Sequence, residues 1–124
     1  EDKPYDRFVM EQLAGDELPD RDADSVTATG FYRLGIWDDE PADRELARYN
    51  YLDDILRTTA ETFLGLTIGC ARCHDHKFDP YTQKHYYSLQ SVFAAVDRAD
   101  RTYGVNPKLT QKKGELTARI AELK

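Results

Sequence analysis

Apolar positions recur every three or four residues in four stretches of the chain, separated by polar, turn-forming residues. That spacing puts side chains on one face of a helix. The first stretch, residues 4–14, carries Phe8, Val9 and Leu13, with Tyr5 at its edge. Pro4 suits the opening position, where a missing N–H is tolerated, and Gly15 stands where a left-handed cap is expected. Residues 16–24 are acidic, contain Pro19 and predict a loop. Ser25 is the candidate cap of a short helical stretch toward Gly30. Phe31 to Trp37 is apolar but broken by Gly35, and reads as an irregular segment packed on the core.

Asp38-Asp39-Glu40-Pro41 is a helix-start signature, with acidic groups at the positive end of the helix dipole. The predicted helix runs from about 42 to 64. Leu46, Tyr49, Leu52 or Asp53, Leu56, Ala60, Phe63 and Leu64 form its inner face; Arg44, Glu45, Arg48, Asp54, Arg57 and Glu61 face solvent. Gly65 and Gly69 bracket Leu-Thr-Ile, and a polar, turn-rich run follows from His74 to Pro80. Thr82 caps a further predicted helix over about 83–95, with Tyr86, Tyr87, Leu89, Val92, Phe93 and Val96 on its apolar side. A second polar linker spans Asp97 to Pro107. Beyond it Leu109, Leu116 and Leu123 stand seven apart with Ile120 between them, an amphipathic helix too short to be read as a coiled coil. No alternating strand pattern appears. The fold class is therefore mainly α: a small irregular helical domain with long loops over residues 1–100, then a linker and amphipathic helix over 101–124.

Composition narrows the function. The chain has 124 residues and a formal charge of −6, from 17 Lys and Arg against 23 Asp and Glu. Mean hydropathy is −0.71, and no apolar run nears the roughly 20 residues of a membrane span. The acidic balance argues against a nucleic-acid surface, which needs clustered Lys and Arg. The first residues are polar with no apolar signal segment after them, so a mature product or an excised fragment is expected. Two cysteines exclude a disulfide scaffold.

Those cysteines sit in Cys70-Ala71-Arg72-Cys73-His74, the C-x-x-C-H spacing of c-type haem attachment. Two thiols three residues apart on one helical turn can reach the two vinyl groups of a haem edge. The next residue then offers its imidazole to the iron from the same side. Cys70, Cys73 and His74 are thus the candidate cofactor-binding residues, with His74 the metal ligand. Gly69 leaves room for a planar ligand. Two other readings stay open. One is a zinc site of Cys70 and Cys73 with two of His74, His76 and His85. The other is a redox or structural C-x-x-C, although no βαβ unit accompanies it.

The sixth ligand is open between His85, Met10, a group outside these residues, and none. His76, two residues beyond His74, is expected to bond a propionate, a backbone group or Asp79. Lys77 or Arg72 is a candidate partner for a haem propionate. The run from Asp75 to Asp79 reads as a hydrogen-bonded turn rather than a cation site, and Trp37, Tyr86 and Tyr87 as core or haem-packing aromatics.

The block Gly69-Cys70-Ala71-Arg72-Cys73-His74-Asp75-His76-Lys77-Phe78-Asp79-Pro80, followed by Tyr86-Tyr87, resembles the signature of the planctomycete cytochrome c-like domain, whose function is unknown. Pro4 to Phe8, Glu11 to Asp16, Ala28 to Phe31 and Trp37 to Pro41 resemble its upstream blocks in order, so the resemblance covers about residues 3–96. It implies a large secreted protein, more sequence before the first block, often a second haem-motif domain upstream, and a spacer beginning near Leu109. It implies no fixed ligand at Met10 or His85.

The expected function is a periplasmic or secreted electron-transfer domain carrying one covalent haem c. Its expected partner is a redox protein or a neighbouring haem domain of the parent chain; an acidic surface suits a basic partner. The alternatives are a zinc-stabilised helical interaction module and a haem peroxidase-like domain. Oligomeric state stays open.

Overall fold

A computed structural model describes residues 2–100 and 107–123, without the side chains of Pro107 and Thr110. The expected linker falls largely on residues 101–106, outside the described residues. Five α-helices follow in order: α1 Tyr5–Ala14, α2 Ala23–Ala28, α3 Arg44–Thr59, α4 Gln83–Val92 and α5 Pro107–Glu122. Short 3₁₀ turns occupy Thr29–Arg33 and Ile68–Arg72, and a π-helical turn continues α3 over Ala60–Leu64. No strand occurs among the described residues, as the missing alternation predicts. The chain groups into two compact units, residues 1–33 with 99–124, and residues 34–98.

In the first unit α1 packs on α2 and on the turn Thr29–Arg33. The side chain that α1 buries is charged: Glu11 takes hydrogen bonds from Lys3 and from Arg7 Nε at 2.7 Å. Arg7 reaches on to both carboxylate oxygens of Asp20 at 3.0 Å. The short helix α2 begins earlier than Ser25. Asp22 is its cap, its carboxylate accepting from Ser25 N–H at 2.9 Å, while Ser25 Oγ accepts from Asp22 N–H at 2.8 Å. Ser25 is the third helical residue of this reciprocal box rather than the cap, because the Asp22 carboxylate, three residues earlier, takes the Ser25 amide. Gly15 also differs from expectation. Its backbone is right-handed (φ −61°), and glycine is required by space: a Cβ there would meet Ser25 O at 1.9 Å. Tyr32 closes the unit by donating to Leu13 O at 2.8 Å.

The second unit holds the apolar core. Leu56, Ala71 and Tyr86 are fully enclosed, with Tyr51, Leu52, Ile55, Ala60, Ile68 and Phe93 around them. The inner face of α3 is therefore the row 51, 52, 55, 56, 59 and 60; Leu46, Tyr49 and Leu64 of the expected row are exposed. Both rows satisfy a helical period, and the packing of α4 and of the turn Ile68–Arg72 selects between them. Asp43, not the cluster 38–41, caps α3 by accepting from Leu46 N–H at 2.9 Å. The regular helix stops at Thr59, five residues short of the predicted end, and widens into the π turn. Gly65 ends that turn at φ 67°, a left-handed conformation suited to glycine. Of the segment Phe31 to Trp37 expected on the core, Phe31 and Tyr32 are half-buried in the turn Thr29–Arg33, whereas Leu34 is 85% and Ile36 91% exposed. Trp37 is held, with the Arg98 guanidinium 4.0 Å from its ring centre and its ring edge-on to Tyr51. Arg48 secures the chain after α4, donating to Ala94 O and Val96 O at 2.9 and 2.7 Å.

Gly15→Ala should lower stability by about 3 kcal/mol, because a backbone oxygen cannot give way as a side chain would; urea unfolding checks it. The Lys3 and Arg7 hydrogen bonds hold the Glu11 carboxyl below its usual range. Its stabilisation is then complete above the unfolded carboxyl's pKa of about 4.3 and lost as pH falls further. Melting temperature should hold from pH 7 to about pH 5 and then decline. Glu11→Gln should be less stable at pH 7 and show a flatter acid limb.

Candidate haem-attachment turn

Residues 68–72 form a 3₁₀ turn, which has about three residues per turn, so positions three apart share a face. The sequence therefore sorts into three faces. Ile68 and Ala71 are buried in the core. Gly69 and Arg72 face α3: a Cβ on Gly69 would meet Arg57 Nε at 2.7 Å, and Arg72 Nη1 donates to Asp53 Oδ2 at 3.0 Å. Cys70 and Cys73 share the remaining face, both exposed and both free thiols. Cys73 closes the turn, its N–H donating to Cys70 O at 3.4 Å.

His74 follows at the surface. Its Nδ1 lies 2.8 Å from Asp75 O. A carbonyl only accepts, so Nδ1 carries the proton and the lone pair sits on Nε2, the tautomer a metal-binding imidazole needs. A thioether-bound haem would take the two thiols at its vinyl groups and this Nε2 at its iron, and Cys70, Cys73 and His74 are all exposed. The residues present fit that group.

The turn is held from behind by a polar network in the core. Asp53, buried on α3, accepts from the Tyr86 hydroxyl on one oxygen and from Arg72 on the other. Arg72 Nη2 also donates to Asn50 Oδ1 at 2.7 Å, and Gln90 Nε2 lies 3.4 Å from the Tyr86 oxygen. Burial, then the Asp53 carboxylate, push the Tyr86 hydroxyl well above its ordinary pKa, so it stays a donor. The carbonyl of Arg72 accepts from Gln83 Nε2 at 2.9 Å and from the Tyr87 hydroxyl at 3.1 Å. Sequence reading missed Asp53 as a partner of the motif. An acid within an apolar row, 19 residues before an Arg, was its only signal.

The remaining candidates are placed as follows. Arg72 is committed to Asp53 and Asn50; of the two cations expected to pair a propionate Lys77 remains, its Nζ 5.3 Å from the Phe78 ring centre. Phe78, four residues after His74, is 84% exposed. His76 bonds a backbone group as expected: its Nδ1 accepts from Asp79 N–H at 2.9 Å and Phe78 N–H at 3.3 Å. Asp75 Oδ1 accepts from Gln83 N–H at 2.8 Å, so the run 75–79 is the expected hydrogen-bonded turn. His85 is the third residue of α4, its Nδ1 accepting from Thr82 N–H at 3.3 Å, and Thr82 caps the helix as expected. Met10 is exposed on α1. The zinc set Cys70, Cys73, His76 and His85 is not brought together: among the described residues no three His, Cys, Asp or Glu converge as a metal site. A cleft of about 750 Å³ lies on the α3 side, lined by Trp37, Asp39, Arg44, Asn50, Asp53 and Arg72 among others, and by neither cysteine nor His74.

A family model described as PSCyt2, protein of unknown function (DUF1549), matches residues 1–98. The chain belongs to this family. The PSCyt2 match takes in α1 to α4, the Cys70–His74 turn and the Asp53 network, and stops before α5. No curated protein and no solved structure matches the chain. No described helix is long and apolar enough to cross a membrane.

Removing Asp53 strands the Tyr86 hydroxyl in the core and leaves Arg72 without its carboxylate. Asp53→Ala should cost about 3 kcal/mol in urea unfolding, and Asp53→Asn less, because the amide oxygen still accepts from Tyr86.

Proposed function

We propose that this PSCyt2 chain is a cytochrome c-like electron-transfer domain of a planctomycete protein, binding one haem covalently. Cys70 and Cys73 would carry the thioethers, and His74 would ligate the iron through Nε2. One arrangement carries the reading: two free thiols on the same face of a 3₁₀ turn, followed at once by an imidazole whose Nδ1–H is tied to Asp75 O. When bound, haem supplies a one-electron ferrous/ferric couple, whose potential depends on axial ligation, burial and nearby charge.

The chain's own contribution is positional. Ile68 and Ala71 anchor the turn, and Arg72, Asp53 and Tyr86 hold its orientation. The Asp75 carbonyl holds the His74 tautomer and so keeps Nε2 available. Lys77 would pair a propionate. Haem c is attached outside the cytoplasm, so this reading carries an extracytoplasmic location with it. The electron partner is a basic redox protein or a second haem domain in the same parent protein.

Protein made together with haem-maturation machinery should show one covalent haem by intact mass and a pyridine haemochrome spectrum. Cys70→Ala/Cys73→Ala should abolish attachment. A chain that leaves such a host without haem and with one bound zinc would overturn the reading in favour of the zinc module. With haem present, a high-spin spectrum that shifts on adding cyanide or peroxide would point to the peroxidase-like alternative. A low-spin, six-coordinate spectrum supports electron transfer.

A further inference from the structure

Every described side chain of α5 is exposed, and its apolar residues form one stripe. At 3.6 residues per turn, Leu109, Leu116, Ile120 and Leu123 fall within about 60° of arc. The stripe is narrow and contains no aromatic residue, the pattern of a helix–helix seam rather than of the broad face a membrane-surface helix uses. It is also charged in one sense. Lys113 lies in the seam itself, one turn below Leu109, and Lys112 and Arg119 border one side. Thr117 and Ala121 lie on the other side. The acids Glu115 and Glu122 are turned further away, Glu115 accepting from Gln111 at 3.0 Å.

We propose that this face docks an acidic amphipathic helix of a partner protein, with apolar residues in the seam and Glu or Asp beside them. The charge pattern selects that occupant. A second copy aligned in parallel would bring Lys113 against Lys113, and an antiparallel copy would set Lys112 and Arg119 against their counterparts; like charges across a seam disfavour both. An acidic helix pairs all three cations while covering the four apolar side chains. Gly114 fits a helix completed by its partner. It weakens α5 on its own, and a Cβ there would meet nothing.

The test uses the whole 124-residue chain and labelled synthetic helical peptides with a Leu/Ile seam, flanked either by Glu or by Lys. Fluorescence anisotropy should show the Glu peptide binding at least tenfold tighter than the Lys peptide, with affinity falling as salt rises. Ile120→Ser should weaken it by about tenfold or more, Lys113→Glu should reverse the preference, and Gly114→Ala should strengthen it severalfold. All three side chains or positions are solvent-facing, so circular dichroism of the remainder should be unchanged. Equal binding of the two peptides, or none, overturns the proposal. So does sedimentation showing a stable dimer of the chain that Ile120→Ser breaks, or binding confined to phosphatidylserine vesicles.

Discussion

Asp53 stands where the buried core meets the cysteine turn, and its carboxylate must be satisfied on both oxygens because water does not reach it freely. Tyr86 supplies one donor from α4 and Arg72 the other from the turn itself. A buried carboxylate is costly unless paired and hydrogen-bonded, so three elements distant in sequence are tied to one group. Apolar packing brings α3, α4 and residues 68–72 together and turns Ile68 and Ala71 into the core. The ion pair adds a second attachment on the α3 side, and the cysteines are left exposed.

The 3₁₀ geometry makes that division of labour possible in five residues. An α-helical turn would spread positions 68, 71, 70 and 73 around a wider cylinder. With three residues per turn, core anchor, α3 contact and thiol face separate cleanly. Upstream, the π turn over Ala60–Leu64 and the left-handed Gly65 end α3 and redirect the chain into the motif. Downstream, Asp75 both follows the imidazole and caps α4 through Gln83, so the start of that helix is tied to the loop carrying His74.

The helices were readable because a three-to-four period is a local property, and α1, α3, α4 and α5 lie where the pattern places them. The cap at Thr82 was readable for the same reason, since it involves only a neighbour three residues on. The inner face of α3 was readable only in part: Leu52, Leu56 and Ala60 are buried as expected, but Leu46 and Tyr49 are exposed. Rows containing Leu46 and Tyr49, or Tyr51 and Ile55, are equally helical, and only the position of α4 and of the turn chooses. Leu34 and Ile36 read as core residues by composition, yet no element covers them within their unit. Gly15 read as a left-handed cap; its need for glycine comes from the backbone of Ser25, ten residues away.

The sequence by itself determined the helical class and the order of the elements, and it marked Cys70, Cys73 and His74 as the candidate cofactor-binding residues. Each follows from periodicity or from spacing within five residues, where covalent connection limits the geometry. The tertiary structure alone decided that the thiols face solvent and that Arg72 turns inward to Asp53 instead of outward to a propionate. Those outcomes depend on groups that meet across 19 and 33 residues of chain, and on the cost of leaving any of them buried and unpaired, which no local pattern encodes.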